Sequence, residues 1–92
     1  MSTSDTSPIY IDDFEIDDDN ERHMIERHGV YAEDLYEVLS NGAYEVVENE
    51  GPHQLSQPYA LIGYTDAGRR LYIPIQPTIH EGVWRPATAF DY

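Results

Sequence analysis

The sequence predicts an α+β domain in which two N-terminal helices pack on a twisted antiparallel β-sheet. Apolar residues have helical spacing only in the first part of the chain, up to about residue 41. After that point they form short extended patterns, separated by turn-forming segments rich in Gly, Pro, Asn and Asp. With 92 residues the chain has room for one domain. We expect residues 1–8 to be a flexible leader and residues 9–92 to be this single domain.

The first folded segment is predicted to be a short strand or an extended edge segment, because apolar residues recur in an acidic stretch at Ile9, Ile11, Phe14 and Ile16. A run of aspartates then precedes a first helix, predicted at about Asn20 to Arg27. Negative charge at a helix N-terminus is favoured by the helix dipole, and Asp18 and Glu21 have the spacing of a capping box. His28 and Gly29 should end the helix, since Gly29 can adopt the left-handed conformation.

A second helix is predicted at about Ala32 to Ser40. Leu35, Val38 and Leu39 have the i, i+3, i+4 spacing of a helix face that packs on a core. The following Asn-Gly pair, which includes Gly42, should close this helix.

Four strands are predicted to follow, at residues 43–50, 59–64, 69–75 and 83–90. The second and third should form a hairpin, because a turn sequence ending in Gly68 lies between them. Pro74 cannot donate a hydrogen bond to a neighbouring strand, so it predicts an edge position or a bulge. Pro86 is a second interruption, within the last strand.

Composition excludes several classes of protein and of site. The chain has no cysteine, so it has neither disulfides nor thiolate zinc ligands. It contains no His-Glu-x-x-His motif, and we expect no metal and no cofactor. No apolar run approaches the roughly 18 residues of a membrane span, and the N-terminus does not have the pattern of a signal peptide. We therefore expect a cytoplasmic protein without membrane association.

The charge of the chain is unusual. Eighteen carboxylates face five arginines and no lysine, which gives a formal charge of -13. RNA-binding proteins normally gather positive charge, because each neutralised phosphate releases a counterion. Two interpretations of the acidity remain open: a surface that binds a basic protein, or a generic solvated surface such as that of a salt-adapted organism.

Three clusters of residues carry a family resemblance. They are Asn20-x-x-His23 followed by His28-Gly29-Val30; Ile62-Gly63-Tyr64-Thr65-x-x-Gly68-Arg69-x-Leu71; and Arg85-x-x-Thr88-Ala89. Their order and spacing resemble the BrnT family of type II toxin–antitoxin systems, within the RelE/ParE-like group. The resemblance implies a compact α+β fold, metal-independent endoribonuclease activity on messenger RNA, and neutralisation by a ribbon-helix-helix antitoxin.

Cleavage of RNA without a metal requires a base, an acid and a cation that stabilises the phosphorane. Arg69 and Arg85 are the predicted phosphate ligands, because a guanidinium binds phosphate oxygens in pairs. His23 or His28 is the predicted proton-transfer group. These four residues are the candidate catalytic set. We expect Arg69 and Arg85 to lie on neighbouring strands, on one face of the sheet, and to converge beside the first helix.

Two further residues, Arg27 and Thr88, are candidates for substrate binding. Arg27 should share a helix face with the first histidine, whereas Arg70 should point to the sheet face opposite Arg69. Structural alternatives exist for several of these residues. His28 could serve only to cap the first helix, Arg27 could pair with Glu33, and Thr88 could simply be a good strand former.

The sequence thus leaves several functions open. The first is a type II toxin-like, metal-independent endoribonuclease neutralised by an antitoxin. The second is a non-catalytic acidic protein-interaction domain on the same fold, with a ribbon-helix-helix antitoxin or another basic protein as its partner. The third is a stand-alone acidic binding module. The net charge disfavours RNA as a partner and favours a protein.

Overall fold

The computed structural model describes residues 9–92 and confirms the α+β class; the predicted leader at residues 1–8 lies outside them. The elements are β1 (Asp13–Phe14), α1 (Asp18–His28), α2 (Ala32–Asn41), β2 (Glu45–Glu48), β3 (Tyr59–Tyr64), β4 (Arg70–Pro77), β5 (Val83–Pro86) and β6 (Phe90–Asp91). Within residues 9–92 no helix is long and apolar enough to cross a bilayer.

The strands form one mixed sheet in the order β1-β5-β4-β3-β2, with β6 paired to β4 beyond the end of β5. All neighbouring strands are antiparallel except β1, which runs parallel to β5. The prediction of an entirely antiparallel sheet is therefore wrong at β1, whereas the short strand or edge segment expected around Phe14 is present as this edge strand. A parallel pair requires a long connection between its strands, and the local pattern around Phe14 carries no information about so distant a partner.

Pro74 lies in β4, which is a central strand of the sheet and not the predicted edge. The backbone N–H of Ala87 donates to the Pro74 carbonyl at 2.9 Å. Because the N–H and C=O of one strand residue point to the same neighbour, the proline nitrogen faces the gap between β5 and β6. The missing donor therefore falls where the ladder is already interrupted. The same interruption divides the single last strand that we predicted at residues 83–90 into two strands, β5 and β6.

The core lies between the helices and one face of the sheet. Its fully buried residues include Met24, Leu35, Val38, Leu61, Leu71, Ile73 and Ile75. We call the sheet face that carries Leu61 and Ile73 the inner face, and the opposite face, which carries Ile62 and Tyr72, the outer face. Helix α2 approaches β3 at Gly63, where a Cβ atom would lie 2.7 Å from Val38 Cγ1.

Reciprocal hydrogen bonds fix the start of α1. The Asp17 carboxylate accepts from the Asn20 N–H at 2.9 Å, and the Asn20 side-chain oxygen accepts from the Asp17 N–H at 2.8 Å. This is a capping box. We predicted it one position later, at Asp18 and Glu21. The other end agrees with prediction, since Gly29 has a φ of 63° and its N–H donates to a carbonyl of the last turn.

Candidate functional site

Arg69 lies just before β4, on the inner face, against the C-terminal end of α1. Its guanidinium donates to the carbonyls of His28 at 2.7 Å and Gly29 at 2.8 Å. The His28 carbonyl is among those that a helix leaves without an internal partner, and Gly29 follows directly after the helix. The same guanidinium binds Asp91 through two nitrogens, and the Nη2–Oδ2 distance is 3.1 Å. The hydrogen bond from Arg69 lowers the pKa of the Asp91 carboxyl.

Arg85 lies on β5 and is held by two carboxylates. Its Nη1 donates to Asp17 Oδ2 at 2.7 Å and to Glu15 Oε2 at 3.5 Å. The hydrogen bond from Arg85, together with that from the Asn20 N–H, lowers the pKa of Asp17 to about 2. A guanidinium so placed is already bound to anions of its own chain, and a phosphate would have to displace them.

The structure does not bring Arg69 and Arg85 together. Arg69 contacts the C-terminal end of α1, whereas Arg85 contacts Asp17 at its N-terminal end. The helix has 11 residues, which corresponds to roughly 16 Å. Register also separates them: Arg85 pairs with Gln76, which places it on the outer face, opposite Arg69. The predicted convergence is therefore wrong. Arg70, expected to face away from Arg69, does so, but it shares its sheet face with Arg85.

The two candidate histidines lie close to each other on α1, and Arg69 contacts the backbone carbonyl of His28. The rings of His23 and His28 are 6.4 Å apart in an edge-to-face arrangement, and His28 lies 5.7 Å from the ring of Phe90. Both side chains are exposed. Three of the four predicted catalytic residues thus belong to α1 or contact its C-terminal end, where Asp91 also binds Arg69. We call these three residues, His23, His28 and Arg69, the α1 C-terminal cluster.

The two predicted substrate-binding residues lie apart from each other. Arg27 is exposed on α1 and forms no ion pair or hydrogen bond within residues 9–92, so the alternative pairing with Glu33 is not formed there. Thr88 lies between β5 and β6, and not in a strand as expected. Its Oγ1 is buried without a hydrogen-bond partner among the described residues.

The remaining arginines add little free positive charge. Arg22 approaches Asp19 at 3.9 Å on the surface of α1. The Arg70 guanidinium lies 4.9 Å from the centre of the Tyr92 ring. Arg27 is therefore the one guanidinium in residues 9–92 without an ionic or aromatic partner. Its single charge stands against a formal net charge of -13 for the chain.

A pocket on the outer face was not predicted from the sequence. It has a volume of about 190 Å³ and is bounded by the Tyr72 and Phe90 rings, Pro74, Thr88 and the loop that joins β2 to β3. We call it the outer-face pocket. The alternation of side chains along β4 places Tyr72 and Pro74 on the same face. This was the one feature of the sequence from which part of the pocket could have been predicted. The loop that completes the pocket lies 15 or more residues away in the chain.

Comparisons with known proteins add no relative. No family model, no curated protein and no solved structure matches this chain.

Proposed function

We propose that this protein is a non-catalytic acidic interaction domain that binds a basic protein in the cytoplasm. One observation carries the proposal: Arg69 and Arg85, the two guanidiniums expected to hold phosphate, are both bound by carboxylates of their own chain. A ribbon-helix-helix antitoxin is the basic partner that the resemblance to BrnT-type toxins implies.

The number of available cations supports a protein partner over RNA. Nucleic-acid-binding proteins commonly neutralise about 6–10 phosphates, and each contact adds affinity through counterion release. Here Arg27 alone has no ionic or aromatic partner within residues 9–92. The few guanidinium groups that carboxylates do not hold closely cannot offset the repulsion between a polyanion and a chain with a formal charge of -13. The same charge attracts a basic protein and accelerates its association.

Co-expression with the product of the adjacent reading frame tests this proposal. A stable complex should be recovered by affinity capture of the full chain and size-exclusion chromatography. It should dissociate as salt is raised towards 1 M, because the Debye length then falls to about 3 Å. A test variant replaces three exposed carboxylates, Glu33, Glu45 and Glu48, by glutamine, and should form a weaker complex. A complex that survives high salt and this substitution unchanged would contradict the electrostatic basis of binding.

A metal-independent endoribonuclease is the second candidate, and the α1 C-terminal cluster favours it. Two exposed imidazoles and a guanidinium are the kinds of group that acid–base cleavage of RNA requires. If the chain is a nuclease, it should cut unstructured RNA in the presence of EDTA. Replacing both His23 and His28 by alanine should then abolish cutting, and His80→Ala, at an exposed loop position, should not. Equal cutting by the wild type and the double variant would show that the two histidines do not carry the activity.

A further inference from the structure

The outer-face pocket is an apolar cavity on the side of the sheet away from the helices. Its floor is formed by Tyr72 and Pro74 of β4, and the rings of Tyr72 and Phe90 stack at 5.3 Å. Its accessible lining is almost entirely apolar. The Tyr72 hydroxyl does not open into it as a free group, because it donates to Asn49 Oδ1 at 2.9 Å. The pocket therefore favours an apolar occupant.

The size of the pocket limits the occupant to one ring or one side chain. Pockets for drug-sized ligands have volumes of roughly 300–1,000 Å³. This pocket has about 190 Å³, close to the roughly 150 Å³ of an engineered protein cavity that binds benzene. A single aromatic side chain would fill it. Aromatic side chains seated in apolar pockets are also the commonest energetic anchors of protein interfaces.

Thr88 contributes one polar group to the pocket wall. Its Oγ1 is buried and has no hydrogen-bond partner among residues 9–92, which is an unfavourable arrangement in the free protein. Thr88 is a lining residue of the pocket, and its hydroxyl can change direction by rotation about χ1 between staggered rotamers. An occupant with a polar tip would then satisfy it. Tyrosine and tryptophan have this combination of an apolar body and a polar end.

Charge beside the pocket indicates the chemistry of the surrounding segment. Glu50 is exposed, lies between two lining residues, Asn49 and Gly51, and forms no ion pair within residues 9–92. Glu45, also exposed, stands on the outer face of the edge strand β2. Arg70, which shares this sheet face, lies against Tyr92 and does not line the pocket. A partner segment that binds at the outer-face pocket would therefore meet carboxylates around an apolar cavity.

We infer that the outer-face pocket binds a tyrosine or tryptophan side chain of a basic partner segment, with its polar tip hydrogen-bonded to Thr88. The inference rests on the proposed function, because it names the anchor by which a basic protein would be held. The partner segment carries arginine or lysine beside the aromatic residue, and these pair with Glu50 and Glu45.

Peptide titrations of the ¹⁵N-labelled full chain test the inference. The probes are acetylated, amidated Arg-Gly-Tyr-Gly-Arg peptides and their Phe and Ala counterparts, together with a uridine decanucleotide. We expect the Tyr peptide to shift the amide signals of Tyr72, Thr88 and Phe90, and to bind at least about ten-fold more tightly than the Ala peptide. The Tyr peptide should also exceed the Phe peptide by roughly five-fold, as one hydrogen bond allows.

Three variants separate the pocket from the general acidity of the surface. Gly51→Leu should block the pocket and abolish the preference for Tyr over Ala, since a Cβ there meets only Asn49 Oδ1 at 3.8 Å and the fold can accept it. Gln54→Leu adds the same side chain to an exposed position of the same loop, outside the pocket, and should change nothing. Thr88→Val should remove the preference for Tyr over Phe while leaving the preference for Phe over Ala.

The alternative outcomes overturn the inference in distinguishable ways. Equal binding of the Tyr and Ala peptides would refute the aromatic anchor but would leave the proposed function, an acidic interaction domain, uncontradicted. Pocket signals that shift only with the oligonucleotide would assign the pocket to a nucleobase. Absence of binding by all three peptides would also refute the anchor, and the co-expression experiment would then decide the proposed function separately.

Discussion

Replacement of Arg69 by methionine should destabilise the protein by about 2 kcal/mol. Methionine keeps an apolar stem of similar length and removes only the guanidinium. The loss consists mainly of the two hydrogen bonds to the carbonyls of His28 and Gly29, each worth about 1 kcal/mol. The pairing with Asp91 lies in solvent and mainly orients the guanidinium. For a domain of this size, 2 kcal/mol corresponds to a fall in Tm of roughly 8–16 °C.

Urea unfolding followed by the fluorescence of the single tryptophan, Trp84, measures this loss. Trp84 is a suitable probe because it is partly buried and its Nε1–H donates to the Tyr10 carbonyl at 3.0 Å. Arg27→Met is the matched control: it removes a guanidinium from the same helix end that has no ion pair or hydrogen bond within residues 9–92, and should change stability by less than about 0.5 kcal/mol. If R69M and R27M unfold at the same urea concentration, Arg69 does not hold the end of α1.

Three further predictions concern other parts of the fold. Asp17→Asn keeps a good N-cap but loses the charge partner of Arg85. Because the folded pKa of Asp17 is depressed to about 2, the variant should be less stable than wild type at pH 7, and the difference should vanish as the pH falls from about 4 to 2. A difference that is constant with pH, measured by urea unfolding, would refute this account. Gly63→Ala should lower the free energy of unfolding by about 1–3 kcal/mol through the clash with Val38 Cγ1. The double variant Gly63→Ala/Val38→Ala should lose less than the sum of the losses in the two single variants. Thr88→Val should raise the free energy of unfolding of the free protein by about 1 kcal/mol, because it removes a buried hydroxyl without a partner, and a decrease in a thermal melt would contradict this.

Local features of the fold could be predicted from the sequence because their causes are local. Helix α2 begins at Ala32 as expected, and the buried Leu35 and Val38 are the residues that predicted it. Strand β3, Tyr59–Tyr64, agrees with its predicted bounds, since turn sequences border it on both sides. The left-handed Gly29 was likewise predicted from its position after a helical run. In each case the determining interactions span only a few residues.

The candidate site was harder to predict because it depends on register between distant strands. A shift of one residue moves a side chain to the opposite face of a sheet, so the relative orientation of Arg69 and Arg85 depends on how β4 pairs with β5. The sequence indicated an interruption at Pro86, but neither the division into β5 and β6 nor the register of β5 on β4. The parallel pairing of β1 then brings Glu15 beside Arg85. No local pattern contains either fact.

Helix α1 buries little apolar surface, so Arg69 and Arg85 have a structural role in attaching it to the sheet. This role conflicts with their predicted role as phosphate ligands. Only Asn20 and Met24 of this helix are buried, so hydrophobic contact contributes little to its attachment to the sheet. Polar contacts supply the rest. Asn20 Nδ2 donates to the Pro86 carbonyl at 3.2 Å, Arg85 binds Asp17 at the N-terminal end, and Arg69 binds the last carbonyls at the C-terminal end.

The two arginines interact differently with the dipole of α1. The positive charge of Arg69 complements the negative end of the helix dipole directly. At the other end Arg85 would be repelled by the positive end of the dipole, and the ionised Asp17 carboxylate stands between them as both N-cap and counterion. The two arginines that we predicted as phosphate ligands therefore attach a polar helix to a sheet. Any phosphate that recruited either of them would have to release one end of α1.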